Sequence, residues 1–408
     1  MYYYENGRFA ALAPLPLQES GPSGNPTFLF RRNPESCRSS FLVTEPAQLV
    51  AEGEDISWLD PARMVPCAGA LPQPLLDAIQ SRRLRAVNFD HPRFREIAAA
   101  EPLRRKLRVH ILALGDVGST ILMGLKLLGG DCIDAIGICD INEKALQRWE
   151  FEMNQVAYPW DYDALPPVEI VDRRDLFRCD CFLFAASKGI PPVGSAVRDV
   201  RMAQFEANRG LVELYARQAR EDGFRGLFAV VSDPVDPLAK VAFLASNRDE
   251  SGRFDGKGLL AEQIQGFGLG VMNARAAYYA KQDPRFSSFL TEGRAFGPHG
   301  SGLIIANSIA HYDDAISQEL TKLALTANLK MRELGFKPYA APALSSAAIS
   351  VLLTLRGQWH YSSIFLDGVY LGVKNRLTPF GVETERLVLP DALYTRLGET
   401  VSALRAII

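Results

Sequence analysis

The sequence contains no uninterrupted apolar stretch that approaches the roughly 18 residues a helix needs to cross a bilayer. Its first residues also lack the basic and then apolar pattern of a secretory signal, so we expect a cytoplasmic protein outside the membrane. Acidic and basic residues are interspersed and leave a formal net charge of −2, which excludes a basic surface for nucleic acid or an anionic membrane. These absences favour a small molecule as the partner.

Cysteine is also sparse. Six cysteines in 408 residues are too few for the dense disulfide framework of a small secreted protein. The close pair, Cys179 and Cys181, opens an apolar run and lacks the C-x-x-C spacing of a redox or zinc site. We therefore expect reduced thiols and no bound metal.

The length and composition fit a globular protein with more than one hydrophobic core. Of the 408 residues, 48% are hydrophobic and 23% are charged, so two or three domains are expected. Residues 1–105 are rich in Pro and Gly around strand-like runs at 27–30 and 40–43, followed by helical spacing of apolar residues at 74–79 and 94–107. This pattern predicts a small α+β accessory domain over residues 1–105.

Short buried strands alternate with helix-length segments after residue 106. Apolar runs at 109–114, 133–139, 181–185 and 227–231 are typical of βαβ units around a parallel sheet. In the last third, runs at 365–373 and 382–389 indicate strands, and one apolar helix face is formed by Leu393, Leu397, Val401, Leu404 and Ile408. The sequence therefore predicts an α/β fold, with a Rossmann-type domain over residues 106–258 and a mixed α+β substrate domain over residues 259–408.

A strand, a glycine turn and the start of a helix follow one another at residues 109–119. Gly115 and Gly118 occupy the second and third positions of the G-x-G-x-x-G pattern, Ala113 stands in the first, and Asp116 and Val117 lie between the two glycines. Such a turn lets the N–H groups of a helix N-terminus cradle a pyrophosphate. The alternative is a glycine turn that binds no dinucleotide.

A carboxylate follows where this motif requires one. Asp140 closes the next strand, 22 residues after Gly118, where it can accept hydrogen bonds from a ribose diol and repel a 2′-phosphate. The sequence therefore predicts NAD as the cofactor, in preference to NADP. The alternative is that Asp140 only caps the end of its strand.

Five further motifs follow along the chain. They are Phe184-Ala185-Ala186-Ser187, the segment 200–208 with Arg201, Val230-Val231-Ser232-Asp233-Pro234-Val235-Asp236, the segment 266–275 that ends at Arg275, and Gly297-Pro298-His299-Gly300. In this order, and with an interval of 24 residues from Arg275 to His299, the chain resembles the lactate/malate dehydrogenase family over about residues 107–408. The resemblance excludes the N-terminal hundred residues.

The resemblance implies a substrate site built from a proton donor and two cations. His299 would donate the proton, Arg201 would polarise a substrate carbonyl from a closing loop, and Arg275 would hold a substrate carboxylate. Hydride transfer to a carbonyl carbon develops negative charge on oxygen, which is why these residue types belong together. Each could instead be a structural histidine or a solvated arginine. The resemblance also implies substrate-binding roles for Arg198 and Ser345, cofactor-binding roles for Ala185, Ala186 and Val231, and a homodimer or homotetramer.

Two replacements depart from the family pattern. Met272 stands where the family has an aspartate that orients the catalytic histidine, and Asp233 stands where it has an asparagine beside the reacting carbonyl. An ionised Asp233 can only accept hydrogen bonds, so it would either orient His299 or face a protonated imine. The loop at 187–200 also looks longer than the family's lid, which leaves the residue that selects the substrate side chain unassigned.

The sequence thus predicts an NAD-dependent oxidoreductase that acts on a small carboxylate-bearing 2-oxo or 2-hydroxy acid, with His299, Arg201 and Asp233 as catalytic residues. Two alternatives stay open. One is an imine reductase on the same fold, and the other is a non-catalytic NAD-binding scaffold whose accessory domain makes the partner contacts. Retention of Arg201, Arg275 and His299 together argues against the scaffold.

Overall fold

The computed structural model describes residues 2–5, 8–11, 27–67, 71–100, 105–188 and 200–408, with the backbone alone for 2–5, 8–11 and 200–203. Its α-helices are α1 (Ala47–Val50), α2 (Gln73–Gln80), α3 (Phe94–Ala99), α4 (Asp116–Leu128), α5 (Glu143–Met153), α6 (Val200–Glu221), α7 (Val235–Asn247), α8 (Leu269–Ala280), α9 (Phe289–Glu292), α10 (Asp314–Glu333), α11 (Ser350–Leu355) and α12 (Asp391–Arg405). A π-helix, Pro342–Ile349, leads into α11. The strands are β1 (Tyr2–Glu5), β2 (Arg8–Ala11), β3 (Thr27–Phe30), β4 (Ser40–Leu42), β5 (Arg85–Asn88), β6 (Leu107–Leu112), β7 (Ile133–Cys139), β8 (Val168–Ile170), β9 (Cys181–Phe184), β10 (Leu227–Val230), β11 (Ile264–Gly266), β12 (Arg294–Phe296), β13 (Ile304–Ala306), β14 (His360–Leu366), β15 (Val369–Thr378) and β16 (Gly381–Thr384).

The main sheet has nine strands in the order β16-β15-β14-β11-β10-β9-β6-β7-β8. The six neighbouring strands β8-β7-β6-β9-β10-β11 all run parallel to one another. Numbered along the chain, they have the 3-2-1-4-5-6 order of a dinucleotide-binding Rossmann fold. The strand order reverses between β6 and β9, and such a reversal opens a crevice at the carboxyl ends of the strands. The α/β Rossmann prediction is therefore confirmed.

Alternate residues of the central strands belong to two separate cores, which explains their continuous apolar runs. Leu183 and Ala229 pack in the same cluster as Leu125 of α4. Phe182 and Phe228, one residue earlier on the same strands, pack with residues of α6 and α7. Both faces of the sheet are thus covered by helices, and its free space for a ligand lies at the strand ends.

The four strands predicted between residues 109 and 231 correspond to β6, β7, β9 and β10, with bounds shifted by at most two residues. The single strand predicted over 365–373 is wrong. Asp367 and Gly368 have φ of 55° and 75° and form a two-residue turn between the antiparallel strands β14 and β15. The strand predicted over 382–389 ends early at Thr384, and the Leu387 N–H donates to Leu59 O outside the sheet.

Two helix predictions also need correction. The helix expected over 94–107 ends at Ala99, and Leu107 already begins β6; residues 101–104 lie outside the described residues. The terminal helix α12 buries Leu393, Leu397, Val401 and Leu404 as predicted. Ile408 lies beyond the end of α12 and is 40% exposed, so it does not belong to the apolar face.

The N-terminal region forms a five-stranded sheet in the order β2-β1-β3-β5-β4. Most of its described buried apolar side chains do not form a core of their own. Phe41 and Trp58 belong to the same buried cluster as Val369 of β15 and Leu393 of α12. The N-terminal region therefore shares a core with the end of the chain, and an accessory domain with a boundary at residue 105 stays a prediction, as does the boundary at 258.

All six cysteines are free thiols. Burial raises the pKa of the Cys132 thiol to about 11, so it stays protonated near neutral pH. Across the ranges that the structure describes, no helix is long and apolar enough to cross a membrane, and no group of three His, Cys, Asp or Glu side chains could hold a metal ion.

Candidate active site

The turn between β6 and α4 has the backbone geometry of a phosphate-binding turn. Ala113 has a φ of 74°, the left-handed conformation that glycine usually supplies at this position. Gly115 is the N-cap of α4, and a Cβ there would meet no atom within 4 Å, so the turn is open on its outer side. A Cβ on Gly118 would lie 1.9 Å from the Ala113 carbonyl oxygen, so only glycine allows this close packing. The first helical turn, with Asp116 and Val117, leaves its N–H groups without intrahelical partners.

Asp140 follows β7 at the same edge of the sheet. Its Oδ2 accepts a hydrogen bond from the Leu114 N–H at 2.6 Å, and its Oδ1 accepts one from the Asn142 N–H at 2.8 Å. The carboxylate therefore ties the glycine turn to the end of β7. Each carboxylate oxygen has a second lone pair, so these contacts are compatible both with a strand-end cap and with ribose binding.

Ala185, Ala186 and Val231 extend this edge across β9 and β10. The Val231 N–H donates to the Phe184 carbonyl at 3.0 Å, and the Ser232 hydroxyl donates to the Ala186 carbonyl at 2.7 Å. Because the carboxyl ends of parallel strands open at one edge, the predicted cofactor residues of four strands lie around one crevice.

The C-terminal half of the chain reaches this edge through His299. Its loop follows β12, and Gly297, with a φ of 85°, turns the chain there. A Cβ on Gly268 would lie 2.6 Å from the His299 Cβ, so the start of α8 must be glycine for the histidine to pack against it. His299 Nδ1 lies 2.9 Å from Asp233 Oδ1. An ionised carboxylate only accepts hydrogen bonds, so Nδ1 carries the proton and Nε2 is left for other chemistry.

The Nε2 atom of His299 is buried and has no hydrogen-bond partner among the described residues. Buried polar atoms without partners are rare in folded proteins, and each one needs an explanation. The Asp233 side chain beside it is 43% exposed, so the pair is accessible from solvent on the carboxylate side. A substrate group that pairs with Nε2 would complete this arrangement.

Asp236 is a site residue to which the sequence analysis assigned no role. It lies buried in the first turn of α7, where it accepts hydrogen bonds from the His299 backbone N–H at 3.2 Å and from the Ser363 hydroxyl. Burial raises the pKa of the Asp236 carboxyl to about 6. Its signal in the sequence was its place at the end of the 230–236 motif, but no spacing rule links that place to the backbone of His299.

Asn208 supports Asp233 from α6. Its side chain is fully buried, its Nδ2 donates to the Asp233 backbone carbonyl at 2.8 Å, and its Oδ1 accepts from the Lys188 N–H at 3.0 Å. The end of β10 is therefore held between α6 and the segment that follows β9. The sequence placed Asn208 in a motif without a function for its side chain.

Arg275 approaches the site on α8. Its Nη1 donates to the Ala324 carbonyl at 3.3 Å and lies 3.6 Å from the Met272 sulfur. Burial lowers the pKa of Arg275, and the charges of Tyr279 and Asp233 oppose this effect. No carboxylate of the described ranges forms an ion pair with Arg275, which leaves a half-buried cation near enough to Asp233 for their charges to interact.

The remaining predicted substrate residues are less well defined. Ser345 is half-buried in the π-helix, and its backbone carbonyl accepts from the Ser350 hydroxyl at 2.9 Å. Arg201 is the second residue of α6, where the backbone alone is described, and Arg198 lies outside the described residues. The predicted contacts of these two arginines with a substrate therefore stay predictions.

Comparisons with known proteins show what the chain is similar to in sequence and in fold. No family model matches the chain. The malate dehydrogenase of Sulfurimonas denitrificans is 23% identical to it over 278 residues, which are 64% of this chain and 80% of that one. A lactate dehydrogenase from a Medee basin deep-sea metagenome library superposes with a TM-score of 0.59 and 18% identity, over 74% of this chain and 98% of its own. The malate dehydrogenase of Archaeoglobus fulgidus in complex with NADH superposes with a TM-score of 0.55 and 18% identity, over 73% of this chain and 97% of its own.

The chain resembles the lactate and malate dehydrogenases in sequence and in fold. The resemblance inferred from the motifs is therefore confirmed, and the prediction of an NAD-dependent oxidoreductase is supported. Against that family pattern, Met272 is buried at 3% exposure in the core beneath α8 and cannot accept a strong hydrogen bond. The carboxylate partner of His299 comes instead from Asp233, at the end of β10.

Proposed function

We propose that this chain is an NAD-dependent oxidoreductase that transfers a hydride between nicotinamide and a small carboxylate-bearing 2-oxo or 2-hydroxy acid. The observation that carries the proposal is the 2.9 Å contact between His299 Nδ1 and Asp233 Oδ1, at the sheet edge that also bears the glycine turn. A proton-transfer pair beside an open dinucleotide turn is the combination that carbonyl reduction needs.

The residues of the turn fit NAD. Gly115 leaves room for a phosphate against the backbone, the first turn of α4 offers unpaired N–H groups, and Asp140 offers carboxylate oxygens to a ribose. The charge of Asp140 disfavours a 2′-phosphate, which supports NAD over NADP. When bound, NAD supplies or accepts the hydride. The other proposed cofactor-binding residues are Asp116, Val117, Gly118, Ala185, Ala186 and Val231.

His299 holds the proton that the reaction moves. Its Nδ1–H stays on Asp233, so Nε2 gives a proton to the substrate oxygen in reduction and takes one from the hydroxyl in oxidation. Asp233 acts through His299, because it fixes the ring orientation and stabilises the imidazolium. Asp236 accepts a hydrogen bond from the backbone N–H of His299 and so helps to hold the histidine in place.

Arg275 is the proposed anchor of the substrate carboxylate. Its hydrogen bonds to described residues use Nη1, so Nε and Nη2 remain for a two-point contact with a carboxylate. A half-buried guanidinium without an ion-pair partner in the described part of the chain also favours an anionic ligand over a neutral one. Arg201 as the carbonyl-polarising residue, and Arg198 and Ser345 as substrate-binding residues, rest on the family resemblance alone.

Two other functions remain as alternatives to be separated by experiment. An imine reductase would use the charge of Asp233 toward a protonated imine, but Oδ1 is already engaged by His299, which favours the orienting role. A non-catalytic NAD-binding scaffold would need neither a His299 Nε2 that lacks a partner among the described residues nor an Arg275 whose hydrogen bonds to those residues use Nη1 alone. The contact of Asp233 with His299 thus favours an oxo acid over an imine, and the available groups of His299 and Arg275 favour an enzyme over a scaffold.

We further propose a cytoplasmic homodimer or homotetramer. Large apolar side chains are exposed on α4 and on the adjoining π-helix, where Leu127 is 51% and Leu344 37% exposed. Apolar surface of this kind often lies in contacts between subunits. Light scattering coupled to size exclusion tests the proposal, and a monomer at micromolar concentration would contradict it.

Oxidation of NADH in the presence of 2-oxo acids and of cyclic imines tests the proposed reaction. We expect turnover with oxo acids, and His299→Gln should lower it by about two to four orders of magnitude while NADH affinity stays nearly unchanged. His311→Gln is the matched control, since this exposed histidine pairs with Glu292 away from the site. Turnover of imines alone would support the imine reductase, and NADH binding without turnover of either class would support the scaffold.

A further inference from the structure

An ion pair joins the phosphate-binding turn to the C-terminal half of the chain. Lys337 Nζ lies 2.8 Å from Asp116 Oδ2, although the two residues are 221 positions apart in the sequence. The side chains are 79% and 49% exposed, so solvent and a ligand can both reach them. The hydrogen bond to Asp116 raises the pKa of Lys337, which therefore stays charged.

The position of Lys337 is set by the end of α10. Gly335 has a φ of 83°, and the N–H groups of Gly335 and Phe336 donate to the Arg332 and Met331 carbonyls, in the manner of a glycine C-cap. The π-helix then begins at Pro342, only a few residues later. The lysine is therefore presented by a short connection between two helices, and its long side chain can move while its backbone stays in place.

The carboxylate of Asp116 would repel the pyrophosphate of the proposed cofactor. It is the first residue of α4 and follows Gly115, so its carboxylate lies at the helix end where the pyrophosphate is expected. An acid there interacts well with the helix dipole in the free chain but repels a phosphate. Asp140, the other carboxylate in contact with the turn, adds a second negative charge. Among the described residues, Lys337 forms an ion pair with Asp116, and no cation forms one with Asp140.

We propose that Lys337 is a cofactor-binding residue that pairs with Asp116 in the free chain and with the pyrophosphate of NAD in the complex. The inference rests on the proposed function. A lysine suits an exchange of partners, because its ammonium is a point charge that needs no fixed two-point geometry. The exchange links cofactor binding to the connection between α10 and the π-helix that carries Ser345, and hence to the substrate side of the site.

Binding of three probes to the full chain tests this inference: NADH, ADP-ribose, which retains the pyrophosphate, and adenosine, which has no phosphate. Lys337→Gln should weaken NADH and ADP-ribose by about five- to tenfold at low salt and leave adenosine unchanged. Lys337→Arg should retain most of the affinity. Lys330→Gln, which removes an exposed lysine from α10, is the matched control and should bind all three probes as the wild type does.

The Asp116→Asn background decides which partner Lys337 has in the complex. If Lys337 contacts the pyrophosphate, Lys337→Gln weakens ADP-ribose in this background as well. An effect that vanishes once Asp116 is gone would overturn the inference, because Lys337 would then only neutralise the acid. Unchanged ADP-ribose affinity, or an equal loss of adenosine with a lower melting temperature, would also overturn it. Wild-type chain that binds no NADH would contradict the proposed function instead.

Discussion

His299 Nδ1 lies 2.9 Å from Asp233 Oδ1, a contact between residues 66 positions apart. The carboxylate comes from the end of β10, whereas the lactate/malate dehydrogenase pattern would take it from the position of Met272 on α8. The histidine therefore keeps an acidic partner on its Nδ1 side although the usual residue is lost. Asn208 and Asp236 hold the two members of this pair through their backbones.

Asp233→Asn preserves the shape of the partner and removes its charge. The amide oxygen can still accept from Nδ1–H, but it no longer stabilises the imidazolium, so we expect kcat for oxo acids to fall by about 10- to 1000-fold with little change in KM. The preference for oxo acids over imines should not change, and steady-state kinetics on both classes measures it. Loss of imine reduction together with a gain on oxo acids would show that Asp233 serves an imine substrate.

Arg275→Lys should weaken substrate binding more than turnover. The ammonium loses the planar two-point contact with a carboxylate, so KM for an oxo acid should rise by about 10- to 100-fold. The amide analogue of the same substrate provides the check, because the variant should discriminate less between carboxylate and amide. An unchanged KM with unchanged discrimination would remove Arg275 from the substrate site.

Asp140→Ala should narrow the preference for NADH over NADPH by about tenfold, since the charge that repels a 2′-phosphate is gone. Asp140 also bonds the Leu114 and Asn142 N–H groups, so the melting temperature of the variant must be measured beside its affinities. Asp140→Ser, which keeps a hydrogen-bond acceptor, separates the two effects. Equal affinities for both cofactors in the wild-type chain would contradict the assignment of Asp140.

Two substitutions in the glycine turn should act in opposite directions. Gly118→Ala sets a Cβ 1.9 Å from the Ala113 carbonyl oxygen, and the forced shift should lower the free energy of unfolding by about 2 kcal/mol or more. Ala113→Gly removes the strain of a left-handed alanine, but glycine also gives the unfolded chain more entropy. The free energy of unfolding should therefore rise by a net amount of up to about 1 kcal/mol. Urea denaturation measures both. A tolerated alanine at 118 would mean that α4 is not held this close to β6.

Asp236→Asn should change how stability depends on pH. The pKa of Asp236 is about 6 in the folded chain and near 4 when unfolded, so the folded chain binds more protons between these values. The wild type should then lose stability as pH rises from 4 to 6, by up to about 1.4 kcal/mol per pH unit relative to the variant. The difference between the two unfolding curves isolates this carboxyl from all others. Parallel curves over this range would show that Asp236 titrates elsewhere.

Local pattern was sufficient for most of the central strands. The run 133–139 matches β7 to the residue, because turn residues bound an apolar stretch on both sides. The hairpin at Asp367 and Gly368 was missed, because the apolar run continues on both sides of a two-residue turn and hides it. The helix expected over 94–107 failed because apolar spacing cannot distinguish the end of α3 from the first residue of β6.

The sequence by itself determined the order of the βαβ units and the glycine turn, because helix and strand periods and tight turns follow from sterics and hydrogen bonding among near neighbours. His299 was singled out by the family resemblance, and its catalytic role stays a prediction. Only the tertiary structure decided the partners. It paired His299 with Asp233 and Asp116 with Lys337, and it merged the N-terminal sheet with the core beneath α12. Such pairs depend on how whole helices and sheets pack, and that packing sums many distant contacts that no local pattern records.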